Sequence, residues 1–182
     1  MSRPPLPLPT GIRSRYIPGI NGLTMHVLEA GHEQPGRPLL LLLHGFPELA
    51  YSWRKVMLPL AAAGFHVVAP DQRGYGRTTG QSIAYDQDLR PFSMLQLTRD
   101  ALALVAALGH TQVAAVIGHD FGSPVAAWCA LIRPDVFPAV VLMSAPFAGP
   151  PGLEVSTAGA SVGASTDGLD AALAALPRPR KH

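Results

Sequence analysis

The sequence predicts an open α/β fold: a mostly parallel sheet with helices on both faces. Four short, continuous apolar runs are typical of strands buried on both faces, and segments with helical spacing separate them. Hydrophobic residues make up 48% of the 182 residues and charged residues only 14%, so a disordered chain is excluded. Alternation of strands and helices favours right-handed crossovers and parallel neighbours.

The strands of the predicted sheet follow from these runs and from one alternating segment. An outer antiparallel strand is expected at 23–29, where apolar and polar residues alternate, and it would pair with another strand near 13–17. Six strands are therefore expected in total. The central four are predicted at 39–43, 65–69, 113–117 and 140–143.

Three helices are predicted between the central strands. Pro59 is expected to break or kink the first of them near its middle. Ser93 and Gln96 form a capping box for the second helix. The third helix is expected over 122–133, where a proline is tolerated in the first turn and another follows the end.

Composition limits the function classes. The net charge of +2 depends on a basic cluster at 178–181. The sequence has no basic stripe with interleaved aromatic residues, so nucleic-acid binding is not predicted. No apolar run reaches the ~18 residues of a membrane span, so a cytoplasmic protein is expected. Cys129 is the single cysteine, which excludes an internal disulfide and a zinc site built on several thiolates. No metal or organic cofactor is expected.

The chemistry is expected at the carboxyl ends of the central strands, where open parallel sheets bind ligands. The first strand ends in His-Gly-Phe-Pro-Glu at 44–48, and the second in Asp-Gln-Arg-Gly-Tyr-Gly-Arg at 71–77. The third ends in Gly-His-Asp-Phe-Gly at 118–122. A G-x-nucleophile-x-G turn between strand and helix makes its middle residue, Asp120, project above the sheet.

Together these three motifs resemble the α/β-hydrolase superfamily, and within it the epoxide hydrolase branch, over about residues 15–150. The resemblance implies that Asp120 is a nucleophile that opens an epoxide and forms a covalent ester. It also implies an oxyanion hole made by the backbone N–H groups of Phe46 and Phe121. A competing interpretation makes Asp120 the N-cap of the following helix, but this does not explain the glycines on both sides.

Two related groups of hydrolases remain as alternatives. Haloalkane dehalogenases typically have Trp after the nucleophile and Asn at the position of Phe46, where side-chain N–H groups hold the halide. Fluoroacetate dehalogenases typically have Arg after the nucleophile. Phe46 and Phe121 cannot donate from their side chains, so epoxide hydrolysis fits best. The expected partners are a small hydrophobic epoxide and water, and the oligomeric state is not predicted.

The other motif residues are interpreted as supports. His44 is expected to shape the oxyanion loop, and Asp71 and Arg73 to lock the loop after the second central strand. His119 should point away from Asp120 and is not the base. The remaining supporting residues are Gly45, Pro47, Gly118 and Gly122.

Glu48 and Trp53 are candidates for substrate contact, but a position near a helix start and one on an apolar helix face explain them equally well. Ser123 is expected to be a helix residue rather than a nucleophile.

The C-terminal region changes character. Residues 1–150 are predicted to form the core domain and 151–182 a poorly ordered linker and the start of a cap, with one short helix at 169–176. The family's histidine base and its acid follow the nucleophile, and neither can be assigned, with His182 the weak candidate for the base. The sequence therefore resembles an N-terminal portion, expected to be inactive alone. A competing hypothesis is a non-catalytic binding module or a chain that needs a partner.

Overall fold

The computed structural model describes residues 4–81, 84, 86 and 88–145. They form one six-stranded sheet in the order β1-β2-β4-β3-β5-β6. The strands are β1 (Ile12–Ile20), β2 (Leu23–Ala30), β3 (Leu39–Leu43), β4 (His66–Pro70), β5 (Ala115–His119) and β6 (Val140–Met143). The helices are α1 (Arg54–Ala62), α2 (Met94–Ala107) and α3 (Gly122–Ile132), and a 3₁₀ turn, Ala50–Trp53, precedes α1.

The sheet has the predicted mixed character. β1 pairs with β2 and β2 with β4 in antiparallel fashion, whereas the pairs β3–β4, β3–β5 and β5–β6 are parallel. The prediction of six strands, with an antiparallel pair at one edge, is confirmed. The parallel arrangement brings the carboxyl ends of β3, β4 and β5 to one edge of the sheet.

Both faces of the sheet are covered, as the continuous apolar runs predict. Leu39, Leu41 and Leu43 of β3 pack in one core with residues of α2 and α3, and the alternate residues Leu40 and Leu42 pack with α1 in a second core. Because side chains alternate along a strand, a run of five buried leucines requires an apolar layer on each side.

The bounds of two central strands differ from the prediction. β4 is shifted by one residue, and β5 begins at Ala115 rather than at 113. Val113 is buried, but its N–H bonds to the carbonyl of Val136 in a loop. At the other end, Gly118 and His119 pair with β6, so β5 extends to His119. The apolar run marks burial, whereas backbone hydrogen bonding sets the strand.

Pro59 does not break the first helix, so that part of the expectation is wrong, whereas a kink stays a prediction. Pro59 lies inside α1, which continues to Ala62. Proline removes one helical hydrogen bond, but Met57 and Ala61 on either side of it are buried against the sheet and hold the helix in place. The Ser93 cap of α2 is present, since its side chain accepts a hydrogen bond from the N–H of Gln96.

Several expectations concern residues 146–182, which lie outside the described residues. These include the linker, the helix at 169–176 and His182. The domain boundary at 150 and the cytoplasmic location stay predictions. Within the described ranges, no helix is long and apolar enough to cross a membrane.

Candidate active site

Asp120 occupies a sharp turn between β5 and α3. Its φ of 50° lies in the left-handed region, which is uncommon for a residue other than glycine. The turn is held by backbone bonds from the N–H of Asp120 to the carbonyl of Met143 and from the N–H of Ser123 to the carbonyl of Asp120. α3 has no side-chain cap, so the interpretation of Asp120 as a capping residue is wrong.

The glycines around this turn allow close backbone approach. A Cβ at Gly118 would lie 2.2 Å from the carbonyl oxygen of Gly122, and one at Gly122 would lie 2.2 Å from the carbonyl oxygen of Leu43. At Gly45 a Cβ would lie 2.5 Å from the Cβ of Asp120. No larger residue fits at these three positions without moving the backbone or Asp120 itself.

The carboxylate of Asp120 receives backbone N–H groups from both sides. The N–H of Phe46 donates to Oδ1 of Asp120 over 2.8 Å, and the N–H of Phe121 also bonds to the carboxylate. These two bonds lower the pKa of Asp120, with a smaller contribution from the nearby His119. Asp120 is half-buried, and its carboxylate is charged at neutral pH. The side chain of Phe46 is exposed, so its part in this contact is the backbone alone.

His44 is fully buried and holds the loop that carries Phe46. Its Nδ1 donates to the carbonyl of Gly45 over 2.9 Å, and its Nε2 accepts the N–H of Gln72 over 3.1 Å. Burial lowers the pKa of His44, which favours the neutral ring that this pattern of bonds requires. The side-chain amide of Gln72 returns a bond to the carbonyl of His44. The peptide bond between Phe46 and Pro47 is cis.

Asp71 ties the loop after β4 to its surroundings. Its carboxylate accepts the backbone N–H groups of Ala50 and Arg77 and the Nδ1 of His26, each over 2.8 to 2.9 Å. Gly76 leaves room for it, because a Cβ there would lie 2.2 Å from Oδ2 of Asp71.

Arg73 anchors the other side of the same loop. Its guanidinium forms a two-pronged ion pair with Asp100 of α2, at 2.6 and 3.0 Å, and both residues are buried. Neither Asp71 nor Arg73 is directed at Asp120 in these contacts, so both have the positioning geometry that the sequence predicts.

His119 contacts Glu48 rather than Asp120. Its Nδ1 lies 3.2 Å from Oε2 of Glu48, and both side chains line an open cavity of about 210 Å³ together with Trp53 and Met143. Trp53 is largely buried in the core beside α1. The structure therefore brings Glu48, Trp53 and His119 together next to the turn.

The side chain of Ser123 is hydrogen-bonded to the backbone of β5 and β6. Its Oγ accepts the N–H of Met143 and lies 2.9 Å from the carbonyls of Gly118 and Met143, which ties α3 to β5 and β6. This is a structural position, as expected, and not that of a nucleophile.

Sequence reasoning missed Gln72 and Tyr75. Tyr75 packs edge-on against the ring of His44, with the ring centroids 4.9 Å apart. Burial and the charge of Asp120 raise the pKa of Tyr75. Both residues lie in the 71–77 motif at a strand end, and that position was the available signal.

Comparison with known proteins agrees with this geometry. The family model of the alpha/beta hydrolase fold matches residues 38–180. The chain belongs to the alpha/beta hydrolase family. It is 39% identical over 138 residues to an epoxide hydrolase of Caballeronia sordidicola, which is 76% of this chain and 39% of that protein.

Two further relatives give similar values. Epoxide hydrolase A of Mycobacterium tuberculosis is 41% identical over 136 residues, covering 75% of this chain and 40% of its own length. The crystal structure of Epoxide Hydrolase A from Mycobacterium thermoresistibile matches with a TM-score of 0.69 and 39% identity, over 78% of this chain and 41% of that one. The chain thus spans about two-fifths of the length of these relatives.

Proposed function

We propose that this chain carries the nucleophile and oxyanion hole of an epoxide hydrolase, which converts an epoxide to a vicinal diol through a covalent ester on Asp120. The observation that carries the proposal is the Asp120 carboxylate, held at the strand-to-helix turn by the N–H of Phe46 and the N–H of Phe121. The epoxide hydrolases among its relatives support the same chemistry.

The hydrogen bonds assign a role to each carboxylate oxygen. Oδ1 is held by the N–H of Phe46, so Oδ2 is the oxygen that attacks the epoxide carbon. The carbon–oxygen bond of the strained ring breaks, and the resulting alkoxide takes a proton from water. The ester then keeps Oδ1 as its carbonyl oxygen. When water adds to that ester, negative charge develops on Oδ1, where the N–H of Phe46 already lies.

The second half of the reaction needs a base to activate water. None of the histidines among the described residues is directed at Asp120: His44 is tied to Gly45 and Gln72, and His119 faces Glu48. We therefore expect the 182-residue chain to form the ester and to release it far more slowly than it forms. The substrate proposed is a small hydrophobic epoxide.

Intact-protein mass spectrometry tests this proposal. After incubation with styrene oxide, the chain should gain one covalent adduct, mapped to Asp120, and accumulate less than one equivalent of diol. Asp120→Asn should gain none at that site, while Asp135→Asn, which changes an exposed aspartate, should react like the parent. A folded chain that remains unmodified would contradict the role of Asp120. Repeated diol production would contradict the expected block after the first step.

A further inference from the structure

A second set of catalytic side-chain types lies on the antiparallel edge of the sheet. Oγ of Ser14 on β1 lies 2.8 Å from Nε2 of His26 on β2, and Nδ1 of the same imidazole lies 2.8 Å from Oδ2 of Asp71. The three residues are far apart in the sequence. The pairing of β1 with β2 and of β2 with β4, which Asp71 follows, brings them into line.

The hydrogen bonds fix the direction in which a proton would move. The Asp71 carboxylate also accepts the N–H groups of Ala50 and Arg77, and these bonds and that from His26 outweigh burial and lower the pKa of Asp71. A charged carboxylate only accepts, so Nδ1 of His26 carries the hydrogen. In the neutral form of the ring, Nε2 then has its lone pair toward the hydroxyl of Ser14, as a general base requires.

Exposure separates the attacking group from its support. His26 and Asp71 are 1% and 2% exposed, whereas Ser14 is exposed. The ring of Tyr16, half exposed, lies 5.2 Å from the imidazole and forms an aromatic surface beside the hydroxyl. The neighbouring Arg13 and Arg15 pair with Glu29, so they do not occupy this site. None of the three residues belongs to the oxyanion hole of Asp120.

We propose that Ser14 is a second nucleophile of this chain, activated by His26 and Asp71, and that it accepts an acyl group from aryl esters. Oγ attacks the ester carbonyl and its proton passes to Nε2 of His26. The tetrahedral intermediate collapses to an acyl-serine, and the phenolate leaves with the bonding electrons. The imidazolium then returns its proton to the phenolate or to water. No oxidant or cofactor is needed.

The test uses p-nitrophenyl acetate with the 182-residue chain, because p-nitrophenolate leaves without prior protonation and is followed by absorbance. Acetylated sites are mapped by mass spectrometry after digestion with a protease that does not cleave at arginine, since Arg13 and Arg15 flank the serine. Ser93 is the internal control: it is also exposed, but its hydroxyl oxygen caps α2 and contacts no histidine. Ser14 should acetylate at least about tenfold faster than Ser93.

Two variants complete the test. Ser14→Ala should remove the rapid phase of p-nitrophenolate release, with an unchanged circular dichroism spectrum because the residue is on the surface. Asp120→Asn should keep it, which separates this site from the proposed epoxide chemistry. Equal acetylation of Ser14 and Ser93, or an unchanged rapid phase in Ser14→Ala, would overturn the proposal and leave the three residues a structural hydrogen-bond network.

Discussion

The charge state of a single carboxylate controls the proposed chemistry. The N–H groups of Phe46 and Phe121 lower the pKa of Asp120, so the reactive, charged form persists below the pH at which an ordinary aspartate begins to protonate. We expect the rate of adduct formation with styrene oxide not to decline as the pH falls from ~7 to ~4.5, after subtraction of the Asp120→Asn background. Mass spectrometry gives these rates. A decline with a midpoint above ~5 would mean that the donors do not stabilise the carboxylate.

The position of Asp120 depends equally on the residue it faces. In Gly45→Ala the new Cβ would lie 2.5 Å from the Cβ of Asp120 and 2.9 Å from the carbonyl of His119, so the nucleophile must shift. We expect adduct formation to slow by at least about tenfold, because small displacements of reacting groups are costly. Asp135→Asn is the control, since it changes an exposed side chain outside this contact. Equal rates in the two variants would contradict the role of this contact.

At the scale of elements, the buried ion pair between Arg73 and Asp100 joins the 71–77 loop to α2. Asp100→Asn should lower the free energy of unfolding by about 3 kcal/mol, because it leaves a buried guanidinium without its counter-charge. Urea titration followed by circular dichroism measures this. The matched control is Asp135→Asn, in which a similar two-pronged pair with Arg133 is exposed, and the urea midpoint should not move. Similar shifts in both variants would contradict the importance of burial.

The elements and the motifs were predictable for different reasons. Five successive buried leucines in β3 require apolar layers on both faces of the sheet, so the sheet and its layers follow from the sequence. The turn at Asp120 was also predictable. The glycines on both sides of it lie close to it in the sequence, and they indicate that backbone segments approach each other closely there. The partnership of His26 with Asp71 was not, since it depends on the register of β1, β2 and β4. The bounds of β5 differ from the prediction for the same reason, because they depend on how β5 pairs with β3 and β6.

At the scale of the whole molecule, Glu29 connects three strands and limits the stability of the fold in acid. Burial alone would raise the pKa of Glu29, but His66, Arg13 and Arg15 together lower it to about 2. The shortest contact is 2.6 Å from Nε of Arg13. A depressed pKa stabilises the fold above the unfolded value of 4.5, and this contribution is lost as the pH falls from there toward 2.

The variant Glu29→Gln tests this account of acid stability. It should lower the free energy of unfolding at pH 7 by about 2 kcal/mol, a figure reduced because both arginines are partly exposed. It should also flatten the decline in stability between pH 4.5 and 2, where the parent loses this contribution. Urea titrations at several pH values measure both effects. Parallel pH curves for the parent and the variant would show that another group controls the decline.

The sheet also has an open apolar edge. Within the described part of the chain, β6 pairs with β5 on one side only, and all four of its side chains, Val140, Val141, Leu142 and Met143, are 37% to 45% exposed. Unpaired edge strands with apolar side chains recruit further strands, so we expect the 182-residue chain to self-associate at micromolar concentration. Val141→Lys should shift sedimentation toward the monomer, because a charge on an edge strand opposes pairing. Val56→Lys, at a similarly exposed valine on α1, should sediment like the parent. If both lysine variants dissociated the assembly equally, general solubility rather than the β6 edge would be its cause.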